Sequence, residues 1–154
     1  MNDDTAVAEF AGQLFFRLWR ASHIRTAERL DEIGLTPPTF ALLNVLGARE
    51  GAIQQELCSV MGVDPSTMVA LLDELEDAGL AERRPHPTDR RAREVLITPG
   101  GRRRLKKARE LAMQVEDEVL GGLSAAQRRE LLELLRLAFE SAPPQSAWSS
   151  AEGD

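Results

Sequence analysis

The chain is poor in the residues that build disulfides, metal centres and membrane spans: it has one cysteine, two histidines and no apolar run of bilayer length. The lone Cys58 excludes an internal disulfide and fits a reducing cytoplasm. One cysteine and two histidines leave too few ligands for a Cys/His zinc site within one chain. The opening MNDDTAVAEF is acidic at once, unlike a secretory signal, so a cytoplasmic location with no membrane partner is expected. No nucleophile–base–orienter set, phosphate loop or metal spacing stands out. The chain is therefore not expected to be an enzyme, and no catalytic residue, metal ligand or cofactor is assigned. No internal repeat is visible.

What is present is charge, unevenly placed. The 154 residues are enough for one domain with a real core, and the formal net charge is −6. Yet the segment from Glu82 to Arg109 holds eleven of the 19 basic residues against Glu82, Asp89 and Glu94. Glu50 to Asp77 contains no Lys or Arg and carries seven acids. Such segregation acts on a partner at close range, whatever the total charge.

Hydrophobic spacing organises the chain into a mainly α fold. Residues 5–33 read as a long helix, with Phe10, Leu14, Leu18, Ala21 and Ile24 at helical spacing and Phe15 and Trp19 beside them. A stripe that wide suggests burial against two surfaces, such as the home domain and another subunit. Thr36-Pro37 reads as an N-cap and first helical position, with Phe40, Leu43 and Leu46 facing inward. A short helix from about Ile53 to Met61 ends at Gly62. Asp64-Pro65 opens the next, whose buried stripe is Met68, Leu71, Leu72 and Leu75, and Gly79 closes it. The tight turn between these two helices has the form of a helix-turn-helix. Leu80–Arg84 and Arg93–Ile97 read as strands around the loop PHPTDRRA, making a small β-hairpin wing with a basic tip. Thr98-Pro99 starts a helix to about Leu120. Ser124 to Gln127 forms a capping box for a last helix, with Leu131, Leu134, Leu135 and Ala138 on its inner side. The expected organisation is an N-terminal helix over 5–33, a winged helix-turn-helix domain over 35–98, C-terminal helices over 99–140 and a disordered tail over 141–154.

The basic segment asks for a polyanion. Arg102, Arg103 and Arg104 lie near a helix start, where the macrodipole disfavours each cation by roughly 0.3–1 kcal/mol at most. Arg90 and Arg91 sit on a loop, and Asp89 could hold one guanidinium in a bidentate pair. An arginine fixed on a thin hairpin suits a narrow minor groove. The helix opened by Asp64 would then enter a major groove by its N-terminal end, presenting Ser66, Thr67, Val69 and Ala70. Ser and Thr contact phosphates or base edges, and Val69 and Ala70 suit thymine methyls.

From Asp64 onward the sequence resembles the MarR family of winged-helix transcription regulators. The matching stretches are LTPPTFALL, QQEL, DPST, the run LLDELEDAGLAERR, the wing-tip triplet Asp89-Arg90-Arg91 and ITPGG. The resemblance is close over residues 35–105 and extends to the flanking helices by layout only. It implies a homodimer whose N- and C-terminal helices intertwine, so that two winged domains read a pseudo-palindromic operator in double-stranded DNA. It also implies that Asp89 orients the wing, that Arg91 enters the minor groove, and that Ser66, Thr67, Val69 and Ala70 face the major groove. With these, the expected DNA-binding set includes Arg83, Arg84, Arg90 and Arg93. Three departures are visible: Val69-Ala70 replaces a common polar-Arg pair, Ile53 stands where Ser or Thr often caps a helix, and the recognition helix ends unusually acidic at Asp73, Glu74, Glu76 and Asp77, an end expected to point away from the phosphates. Many family members release DNA when a phenolic or other anionic ligand binds, and others respond to thiol oxidation in the first helix, where this chain has no cysteine. A repressor is the expected role.

Trp19, Arg20 and His23 form a candidate site for a small aromatic or anionic effector: an aromatic wall, a cation and a titratable donor. The plainer alternative is dimer packing for Trp19 and a solvated face for the other two. Cys58 reads as a packing residue. The competing function is a winged-helix protein-interaction module with weak or no DNA binding, which the absence of Arg, Asn or Gln from the outward helix start keeps open.

Overall fold

The computed structural model describes residues 10–49, 51–86, 88 and 93–142. It divides into two units, residues 1–119 and 120–154. The first contains α1 (Ala11–Asp31), α2 (Pro37–Gly47), β1 (Ala52–Ile53), α3 (Gln54–Met61), α4 (Pro65–Asp77), β2 (Ala81–Pro85), β3 (Arg93–Ile97) and α5 (Pro99–Val119). The second contains α6 (Ala125–Ser141).

The helix boundaries follow local chemistry. Thr36 caps α2: its hydroxyl accepts from the Thr39 amide at 3.3 Å, and its own amide donates to Thr39 Oγ1 at 2.8 Å. Thr39 is the one buried polar residue of the core among the described residues, and its hydroxyl also donates to the Thr36 carbonyl at 3.0 Å. Gly62, at φ 64°, ends α3 in the left-handed region that glycine enters without steric cost. Ser124 and Gln127 make the reciprocal capping box at α6, with bonds of 3.3 and 2.8 Å.

The sheet has the order β1-β3-β2 and is antiparallel throughout. Its registers pair Ala52 with Val95, Ala81 with Ile97 and Arg83 with Val95. Ala52, Ala81, Val95 and Ile97 are buried, so this face of the sheet completes a core built from Leu30, Leu42, Leu43, Leu46, Leu57, Met68, Leu72 and Leu75. The third strand corrects the expected two-stranded wing. Ala52 and Ile53 are extended and pair with β3, so α3 begins at Gln54 and Ile53 lies ahead of the helix rather than at its first position. Ile53 offers no side-chain cap; its amide donates instead to Glu56 Oε2 at 3.4 Å.

One knot joins the end of α4 to the start of α5. The Thr98 amide donates to the Leu80 carbonyl at 3.1 Å, and its hydroxyl donates to the Gly79 carbonyl at 2.7 Å. The same hydroxyl accepts from the Gly101 amide at 2.9 Å. Gly101 is buried against this knot, and a Cβ there would lie 2.0 Å from the Leu80 carbonyl oxygen.

The apolar stripes of the flanking helices differ from expectation in one respect. On α1 only Leu30 is buried, while Phe10, Leu14, Phe15, Phe16, Leu18, Trp19 and Ile24 are exposed. No residue of α6 is buried: Leu134 and Leu135, expected on an inner side, are exposed along with Leu132, Leu137 and Phe139. The last helix includes Ser141, a residue of the expected tail; residues 5–9 of the expected first helix and residues 143–154 of the expected tail lie outside the described residues. No helix among the described residues is long and apolar enough to cross a membrane.

Candidate nucleic-acid interface

The start of α4 is organised by Asp64. Its Oδ1 accepts from the amides of Ser66 at 2.9 Å and Thr67 at 3.0 Å. The Ser66 hydroxyl donates to Oδ1 as well, and the Thr67 hydroxyl donates to Oδ2 at 2.6 Å. The two hydroxyls and then the Thr67 amide hold the Asp64 carboxyl well below the usual carboxylate range, against a small opposing desolvation. Both hydroxyl protons are therefore engaged, and Ser66 and Thr67 face outward chiefly as hydrogen-bond acceptors. Beside them Val69 and Ala70 are exposed and Met68 is fully buried, so the expected outward row is the observed one.

The wing strand lies against this helix. Strand alternation places Arg83 on the same face as Ala81, because its cross-strand partner is the buried Val95. The Arg83 side chain turns onto α4: it donates to Asp73 Oδ1 at 2.6 Å, to Glu76 Oε2, and to the Val69 carbonyl at 3.3 Å. Its own amide donates to Glu76 Oε1 at 2.7 Å. Arg84, on the opposite face, pairs with Glu82 at 2.5 Å and stays exposed. Arg93 is exposed at the far end of β3 and pairs with no carboxylate among the described residues. Asp89, Arg90 and Arg91 lie outside the described residues.

The remaining basic residues divide. Arg104 donates to the Ile33 carbonyl at the C-terminal end of α1, where a helix dipole favours a cation. Arg109 Nε donates to Asn44 Oδ1 at 2.8 Å. Arg102, Arg103, Lys106 and Lys107 are exposed and pair with no carboxylate among the described residues. Part of the cationic run at the start of α5 thus serves a neighbouring helix end, a use that primary sequence does not reveal. Beside it is an open cleft of about 640 Å³ lined by Glu32, Ile33, Gly79, Leu80, Arg103, Arg104 and Lys107, among others.

The three candidate effector residues lie on the exposed part of α1. The Trp19 and His23 rings stack with centroids 4.8 Å apart, and the Phe16 ring lies 6.2 Å from that of Trp19. Arg20 is exposed, and none of the three lines the cleft. Cys58 is half-buried against the core. Among the described residues, no three His, Cys, Asp or Glu side chains are placed to share a metal ion.

A tight α3–α4 turn, a three-stranded antiparallel sheet and an outward-facing helix start beside the wing strand define a winged helix-turn-helix. Comparison with known proteins agrees. The MarR family model matches residues 33–92. HTH-type transcriptional repressor Rv2887 of Mycobacterium tuberculosis is 31% identical over 124 residues, covering 80% of this chain and 89% of that protein. The reduced form of MarR from E. coli superposes with a TM-score of 0.75 at 26% identity, over 84% of this chain and 96% of that one. The transcriptional repressor CouR, solved bound to a 23-mer DNA duplex, superposes at 0.78 with 29% identity, over 90% and 98%. The chain belongs to the MarR family of winged-helix transcription regulators, which are not enzymes.

Proposed function

We propose that the chain is a homodimeric repressor that binds a pseudo-palindromic operator and releases it on binding a small aromatic or anionic effector. The observation that carries the DNA reading is the outward row Ser66, Thr67, Val69 and Ala70, presented at the start of α4 beside a cationic strand pair. Placed in the major groove, this row offers hydroxyl oxygens to base amino groups and methyls to thymine. In this reading Arg84 and Arg93, both exposed, would meet the flanking phosphates, and Arg90 and Arg91, outside the described residues, would carry the same charge into the minor groove. With no Arg, Asn or Gln in the row, bidentate base contacts contribute little, and phosphate contacts and DNA shape carry more of the affinity.

The homodimer is supported by the exposed apolar surface of α1 and α6, where Phe10 and Phe139 are 71% and 80% exposed in a single chain. Rows of that size mark interaction surfaces. A dimer would space two α4 helices for half-sites about one helical turn, roughly 34 Å, apart. The effector reading is supported by the Trp19–His23 stack with Arg20 on the same helix, a platform for a planar anion.

Gel shifts with DNA from upstream of the chain's own coding sequence, across a salt series, test the proposal. Binding should weaken steeply with salt, and Arg93→Ala should lower the slope of log affinity against log salt by about 1. Salt-insensitive or absent binding would instead favour the protein-interaction reading. Aromatic acids that raise the melting temperature of the wild-type chain but not of Trp19→Ala would support the effector site; an equal response in both removes it.

A further inference from the structure

The sequence places Arg83 among the wing's cations and leaves an acidic run, Asp73, Glu74, Glu76 and Asp77, at the end of the helix that should approach DNA. Taken separately, the two features conflict: a DNA-facing helix should not gather carboxylates. The geometry resolves them together. Three acceptors on α4 converge on one guanidinium, and Glu76 also accepts the Arg83 backbone amide. The Arg83 side chain is 19% exposed, against 62% for its neighbour Arg84.

We propose that Arg83 is a positioning residue, not a phosphate contact: it clasps the wing strand to the recognition helix and thereby fixes the angle at which both meet the duplex. This rests on the DNA-binding reading above. The acidic end of α4 has a function in this account. Asp73 and Glu76 form the other half of the clasp, and Arg83 neutralises them where they would otherwise repel phosphates. A phosphate could recruit Arg83 only by displacing two carboxylates and the Val69 carbonyl. The two faces of β2 divide the work: Arg83 faces inward and positions, while Arg84 faces outward, exposed beside Glu82, and can swing from that surface pair to meet the backbone of the duplex.

The clasp makes a prediction opposite in sign to bulk electrostatics. Glu76→Gln removes a negative charge near the DNA, so simple charge counting predicts tighter binding. If the clasp operates, Glu76→Gln binds about tenfold more weakly, since partners in one network couple strongly. Arg83→Gln shows a similar loss, and the double variant is no weaker than either single one. Because no phosphate contact is lost, the salt slope of Arg83→Gln stays at the wild-type value; a contacting arginine would lower it by about 1. The probe is a duplex selected from a random library by the wild-type dimer. Affinity is measured alongside helix content and the hydrogen exchange of β2 and β3 amides without DNA. In the DNA-free protein, exchange in these strands should be several-fold faster in both single variants.

Equal or tighter binding by Glu76→Gln, additive losses in the double variant, or a reduced slope for Arg83→Gln would each overturn the proposal. Should Arg83→Gln fail to fold, Glu76→Gln and Asp73→Asn carry the same test, both near-isosteric. If no duplex is selected by the wild type, the DNA-binding reading fails, and the exchange measurement alone still decides whether the clasp exists.

Discussion

Replacing Gly101 with alanine adds one methyl group directly against neighbouring backbone. The new Cβ would stand 2.0 Å from the Leu80 carbonyl oxygen and 2.8 Å from Ile97 Cγ1. Neither neighbour can yield cheaply, because the oxygen is backbone and already accepts from the Thr98 amide. Relief needs a shift of about 1 Å in the start of α5, which would strain the Thr98 bonds to Gly79, Leu80 and Gly101. Overpacking of this kind costs about 1–3 kcal/mol. Loss of one hydrogen bond in the knot adds about 1 kcal/mol. The ordinary advantage of Ala over Gly in a helix returns up to about 1 kcal/mol. The net expectation is a destabilisation of roughly 2–3 kcal/mol, read as a lower urea midpoint at fixed protein concentration. Gly12→Ala is the matched control: a Cβ there meets nothing within 4 Å, so a small gain or no change is expected. A Gly101→Ala protein as stable as wild type would refute the close approach, and with it the tight docking of the start of α5 against Leu80 and Ile97.

Thr39→Val keeps the shape of a buried side chain but strands the Thr36 amide, while the Thr36 carbonyl keeps its bond from the Phe40 amide; chemical denaturation should show a loss of about 1–3 kcal/mol, and an unchanged midpoint would mean water satisfies the freed amide. The carboxyl of Asp64 titrates below its unfolded-state range, so its stabilisation is complete above a pH of about 4 and declines as the pH falls toward the lower, folded-state value. The stability gap between wild type and Asp64→Asn should therefore be widest near neutrality and narrow in acid, and a gap independent of pH would contradict the cap geometry. Charged substitutions in the exposed row of α6, such as Leu134→Glu with Leu137→Glu, should shift sedimentation toward the monomer; an unaltered distribution would place the subunit contact elsewhere.

Most of the architecture is readable from residue spacing because its signals are local. Asp64-Pro65, Thr36-Pro37 and Ser124 to Gln127 each carry their own cap, and the stripe Met68, Leu71, Leu72 and Leu75 repeats at helical spacing. Strand β1 is illegible in the sequence because two residues have no periodicity; only the distant partner strand, at Val95, makes Ala52 extended. The role of Arg83 is legible in principle. Two-residue alternation puts it in line with Ala81 on one strand, and its cross-strand neighbour Val95 is apolar, which marks the inward face. What hides it is the surrounding run of arginines, which invites one explanation for all of them. Arg104 is the opposite case, since nothing near it in sequence announces that the end of α1 lies beside it.

The bonds that Thr98 makes to the last turn before β2 have a mechanical consequence. They tie the end of α4 to the start of the 21-residue α5, which is about 30 Å long. Tilting that rod by about 5° would sweep its distant end through roughly 3 Å. A displacement at the far end of α5 would reach α4 as a change of bearing, transmitted along the helix through Thr98.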